Sequence, residues 1–174
     1  VASLLRELPQ VAVETTLVRP ATRERLEAAL GERSDLPTAV LLIAHGTYDT
    51  ERGRGTVHLE TVDGRTDQVP ADLLSGMLLQ APRLRLAVLN LCSGADSSHT
   101  EPFSGLAQAL IDGGVPAVVA MHGRVSDRSA GLFGPALLKK LAANRTIDEA
   151  MAYGRRTSPA QSARASHQGI PSLA

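Results

Sequence analysis

Ala39-Val40-Leu41-Leu42-Ile43-Ala44, followed at once by His45-Gly46, is the stretch that decides the fold. A continuous apolar run of this length reads as a strand covered on both faces. Leu86–Leu91 (LAVLNL) repeats the pattern and ends on Cys92. Ala117–Met121 (AVVAM) gives a third such run, and the alternating, β-branched Val11–Val18 (VAVETTLV) predicts one more strand ahead of all three. Amphipathic stretches lie between them. Ala21–Leu30 predicts a helix ended by Gly31, and Pro70 sits at the start of a helix through Met77. Phe103–Asp112 predicts a helix closed by Gly113-Gly114. Ser126 caps a helix through Ala143 that Pro135 bends or splits, and Thr146 with Glu149 forms a capping box for Ile147–Arg156. Between Thr47 and Pro70, Thr56–Glu60 pairs with the Arg65–Val69 side across an Asp63-Gly64 turn. The order is β-α-β-(hairpin-α)-β-α-β-α-α. It predicts an α/β fold of three layers, with helices on both faces of a mostly parallel sheet and a β-hairpin excursion after His45.

Composition narrows the function classes. The 174 residues carry 18 Lys+Arg against 18 Asp+Glu, so no strong general attraction to nucleic acid or an anionic membrane is expected. Hydrophobic residues make up 43%, enough for a folded core. With two Phe, two Tyr and no Trp, that core is aliphatic, and no base-stacking platform is present. The single cysteine makes neither an internal disulfide nor a structural zinc cluster. No apolar run approaches the roughly 18 residues of a membrane span. A cytoplasmic protein without metal or other cofactor is the expectation. The whole chain, 1–174, reads as a single domain with an irregular tail over 158–174, apart from a short strand around Ile170. The start at Val1 without Met suggests a fragment of a larger protein.

Right-handed crossovers put His45 and Cys92 on one edge of the sheet, where open α/β sheets bind ligands. A strand-end cysteine is by default a small buried hydrophobe, and a His-Gly pair a turn. Their coincidence at matching ends of parallel strands points to chemistry. A free thiol with a pKa of about 8.5 is mostly protonated at neutral pH, and an adjacent imidazole relieves that. The same imidazole then protonates a leaving amine. Gly46 lets a substrate carbonyl approach the backbone, and the amides of Gly46 and Cys92 are the candidate oxyanion donors. His58, His99 and His167 read as solvated, while His122 ends a core strand on the functional edge. No histidine pair or His/Cys/carboxylate cluster has metal-ligand spacing. Gly53-Arg54-Gly55 is too short for a phosphate loop, and no G-x-S-x-G elbow occurs.

Val40–Gly46 and Leu86–Ala95 together resemble the CHAT domains, caspase-like cysteine peptidase domains related to separase. The similarity continues through Phe103–Leu110, Gly113–Met121, Val125–Ala130 with Phe133, and Ile147–Ala150 with Arg155 or Arg156. The resemblance implies His45 as catalytic histidine, Cys92 as nucleophile and the Gly46 and Cys92 amides as oxyanion hole. It puts Asn90 in the pocket for the residue before the cut, and His122 and Gly123 beside the substrate groove. In the family one further strand normally precedes Val11, so the N-terminal part of the domain is expected to be absent here. Leu91 and Ser93-Gly94-Ala95 depart from the Ala and Glu-Thr-Gly that many members carry around the cysteine, so substrate preference does not transfer.

The expected function is a cysteine endopeptidase working through a Cys-His dyad on a protein or peptide substrate, as a signalling or defence effector beside repeat or sensor domains of a parent chain. A catalytically inactive caspase-like interaction module is the alternative, and an acyl transferase or small-molecule thiol hydrolase a third. Asp49, Asp96, Glu101 and Asp127 are the acidic residues near the site that would favour a basic substrate residue.

Overall fold

The structure, a computed structural model, describes residues 14–31, 38–49, 51–52, 54–93, 104–121, 127–157 and 171–173. Three apolar runs become the centre of one sheet. They are β1 (Ala39–Asp49), β4 (Leu86–Ser93) and β5 (Ala117–Met121), with β1 parallel to β4 and β4 parallel to β5. Each alternates its side chains between two apolar layers, which is why the runs are continuous in sequence. Val40, Leu42 and Ala44 join Ala87, Leu89, Leu91, Val118 and Ala120 on one face. Leu41, Leu86, Val88, Ala117 and Val119 lie on the other.

The sheet is mixed, with the expected parallel centre and antiparallel flanks. β2 (Arg54–Glu60) is antiparallel to β1, β3 (Thr66–Pro70) is antiparallel to β2, and β6 (Pro171–Leu173) closes the far side antiparallel to β5. The strand order is β3-β2-β1-β4-β5-β6. The hairpin is therefore no excursion outside the sheet but its flank. Its turn follows the Asp63-Gly64 expectation. Gly64 takes φ +77, a conformation that side chains disfavour, and the Thr61 amide donates to the Arg65 carbonyl at 2.9 Å. The strand expected over Val11–Val18 is not formed where it is described, because Glu14–Val18 carries no regular structure; residues 11–13 lie outside the described residues.

Helices cover both faces, as expected. Packed on the first are α1 (Arg23–Gly31), α2 (Ala71–Leu78) and α3 (Ser104–Asp112), through Leu30, Leu74, Leu78, Leu106 and Leu110. α4 (Asp127–Ala142) and α5 (Ile147–Thr157) pack on the second, through Phe133, Leu137, Ala150 and Met151. Thr22 caps α1, its Oγ1 accepting from the Arg25 amide at 3.3 Å. A bidentate pair, Arg23 Nε and Nη2 each 2.6 Å from an Asp67 oxygen, fastens α1 to β3. Gly114, at φ +93, turns the chain out of α3 towards β5. Pro135 is accommodated within α4, which continues through it to Ala142.

The capping box is formed. The Thr146 amide donates to Glu149 Oε2 and the Glu149 amide donates to Thr146 Oγ1, both at 3.3 Å. Thr146→Ala leaves the Glu149 amide without that acceptor. We expect about 1 kcal/mol less stability, read as a lower urea midpoint with an unchanged slope.

Candidate active site

β1 does not stop at Ala44. It runs on to Asp49, so His45 and Gly46 lie within the strand rather than after it. The strand changes its role at this point. Its parallel ladder with β4 spans Ala39↔Leu86 to Gly46↔Ser93, while its antiparallel ladder with β2 begins at His45↔His58 and runs to Asp49↔Arg54. Only His45 and Gly46 belong to both. His45 is the register partner of Cys92 on one side and of His58 on the other. Neighbouring strands are about 4.7–4.9 Å apart, so positions 45 and 92 are next to each other one rung from the end of the parallel ladder. The geometry of the Cys92 side chain lies outside the described residues.

His45 shares a sheet face with Leu41 and Ile43, but the cover over that face is partial. Leu41 packs against the α4–α5 layer. Ile43 is 42% exposed, and His45 and Thr47 are exposed. On β2 the half-buried His58 continues the row, and Thr47 Oγ1 and His58 Nε2 are hydrogen-bonded at 3.2 Å. The result is one sheet face dry over β4–β5 and open over β1–β2.

Gly46 is buried between β2 and β4. An oxyanion role for its amide requires the N–H to face the β4 side, where the parallel pairing ends at Ser93. On the β2 side pairing continues to Arg54. Asn90, expected in a substrate pocket, is only 1% exposed and belongs to the core. Gly134 of α4 sits over it, so closely that a β-carbon there would come within 3.2 Å of Asn90 Nδ2 and 2.6 Å of Leu41 Cδ1. Asn90 thus lies beneath the helix layer, two residues before Cys92. His122 and Gly123 lie outside the described residues, as do Asp96 and Glu101.

Asp49 is committed elsewhere. It accepts from the Glu51 and Arg52 amides and pairs with the Arg52 guanidinium, all at 3.0 Å, which holds its carboxyl below the usual range. It fixes the turn into β2 at the end of β1. The pair that sequence reasoning missed is Thr47–His58. Its signal was the spacing of the hairpin, but reading it required the β1–β2 register, which an eleven-residue β1 sets.

Among the described residues no group of three or more His, Cys, Asp or Glu side chains is arranged to hold a metal ion, and no helix is long and apolar enough to cross a membrane.

Compared with family models, residues 1–169 match the CHAT domain. The chain belongs to the CHAT domain family. The match extends beyond the motifs read from Val11 to Arg156 and takes in nearly the whole sequence. A CHAT domain is a caspase-like, peptidase-related domain, which brings the His45 and Cys92 rungs into focus as its candidate chemistry. No match was found among curated proteins.

Proposed function

We propose that this CHAT domain is a caspase-like cysteine endopeptidase in which His45 and Cys92 form the catalytic dyad. The observation that carries the reading is the rung His45↔Cys92, next to last in the parallel ladder. It supplies the neighbourhood that a thiol and an imidazole need in order to share a proton. In the proposed reaction His45 accepts the Cys92 proton, and the sulfur bonds to a peptide carbonyl carbon. The negative charge on the oxygen is met by backbone amides, with those of Gly46 and Cys92 as candidates. His45 then gives its proton to the nitrogen as the C–N bond breaks. Water, losing a proton to His45, attacks the thioester carbon; the C–S bond breaks, the carboxylic acid leaves and His45 returns the proton to the sulfur. The open half of the face over β1–β2 suits an extended peptide better than a small closed-in molecule. The protein or peptide substrate, a signalling or defence role, a cytoplasmic setting and a parent chain with repeat or sensor domains belong to the same reading.

The test uses the fact that Cys92 is the only cysteine. Iodoacetamide therefore reports on it alone. Wild-type protein at pH 6.5 should be alkylated at least about tenfold faster than His45→Ala, because an unassisted thiol with a pKa near 8.5 is only about one per cent thiolate there. Equal rates would remove the dyad.

A further inference from the structure

The imidazole of His45 has an orientation problem. It is exposed, so no core packing fixes its rotamer. Its neighbours on the same strand face are Ile43 and Thr47, and its neighbours across the ladders are position 92 on one side and His58 on the other. Directly opposed residues in an antiparallel pair have β-carbons about 4.5–5.5 Å apart, close enough for two imidazole rings to compete for the same space. His58 does not wander in that space. Its Nε2 is tied at 3.2 Å to Oγ1 of Thr47, two residues beyond His45 on the same strand. The tie runs diagonally across the β1–β2 ladder, so the His58 ring is held on the β2 flank of His45.

We propose that His58, anchored by Thr47, is the positioning residue of the dyad, blocking the β2 side so that the His45 imidazole is turned towards Cys92. This rests on the dyad reading above and assigns to a second histidine the orienting task that a carboxylate performs in other nucleophile–base pairs. His58 acts through His45, which stands between it and β4 in the strand order. The groups around it are few. Across from it on β3 stands the exposed, neutral Gln68. On its own strand face are Thr56 and Glu60, and the carboxylate of Glu60 accepts from the Ala21 amide at 3.1 Å. On β1 the facing groups are His45 and Thr47, with Cys92 one strand further.

The pH dependence of Cys92 alkylation by iodoacetamide tests the assignment without needing a substrate. His58→Ala and Thr47→Val should each move the midpoint of the rate profile upward towards that of a free thiol. The rate near neutral pH then falls about tenfold for every pH unit by which the midpoint rises. His58→Gln, whose amide still reaches Thr47, should restore most of the wild-type profile. Thermal unfolding of the same variants gives the control, since a merely structural role would move the melting temperature and leave the alkylation midpoint in place. Thr47 is exposed, so Thr47→Val keeps the test available even if His58→Ala folds poorly. A wild-type profile in Thr47→Val, or in a folded His58→Ala, overturns the proposal, as does a His58→Gln profile no better than that of alanine. If His45→Ala is impaired while His58→Ala is not, this proposal alone falls. If His45→Ala alkylates like wild type, the dyad itself falls.

Discussion

Cys92→Ala and His45→Ala should each abolish peptide-bond hydrolysis, by on the order of 10⁴-fold or more, and the double variant should be no worse than either. In the proposed dyad nucleophile and base act as a unit, so removing one leaves the other nothing to do. The proposed dyad makes this expectation sharp. No second cysteine exists to substitute for Cys92. Of the remaining histidines, His58 lies on the far side of His45 from β4 in the strand order, so it is not the rung neighbour of Cys92. The measurement is the release of new amino groups from an unfolded protein mixture, with unfolding curves showing that the variants remain folded. His45 is exposed and its replacement should leave stability within about 0.5 kcal/mol. Hydrolysis that persists at the wild-type rate in either single variant would place the chemistry elsewhere.

The largest stability effect is expected at Phe133. It is fully buried in α4 and packs with Leu86, Val88, Val119, Leu137, Ala150 and Met151. It also shapes the contact between α4 and α5, because a β-carbon on Gly154 would come within 2.8 Å of its ring. That glycine leaves no side chain to collapse into the space a lost ring would open. Phe133→Ala should therefore cost about 3–5 kcal/mol, a large part of the roughly 5–15 kcal/mol that holds a domain together. Urea unfolding should show a much lower midpoint, and a loss under about 1.5 kcal/mol would mean that the α4–α5 layer repacks.

Much of this arrangement is legible in the sequence, and the misses share a cause. AVLLIA, LAVLNL and AVVAM are readable because burial on both faces leaves almost no polar break. The Thr146–Glu149 box and the Asp63-Gly64 turn are readable because their hydrogen bonds are local. The rung joining His45 to Cys92 follows in outline from crossover handedness. The extension of β1 through His45–Asp49 is not readable, since an open face sets no hydrophobic alternation there: His45 and Thr47 are exposed, and the buried residue between them is a glycine. Without that extension the hairpin looks separate from the sheet, and the parallel share of the ladder is overstated. Val11–Val18 misleads in the opposite way. Its pattern suits a strand, but Glu14–Val18 is not in one; propensity does not supply a neighbouring strand.

The uneven helix cover has an electrostatic consequence. Asn90 lies under α4 at 1% exposure, whereas His45, further along the same ladder, stands in solvent. His45 therefore stands on a dielectric shoreline, hydrocarbon to one side and water to the other. Charge separated along such a border feels a stronger mutual field than it would in bulk water, yet keeps part of its hydration and so escapes most of the penalty of full burial.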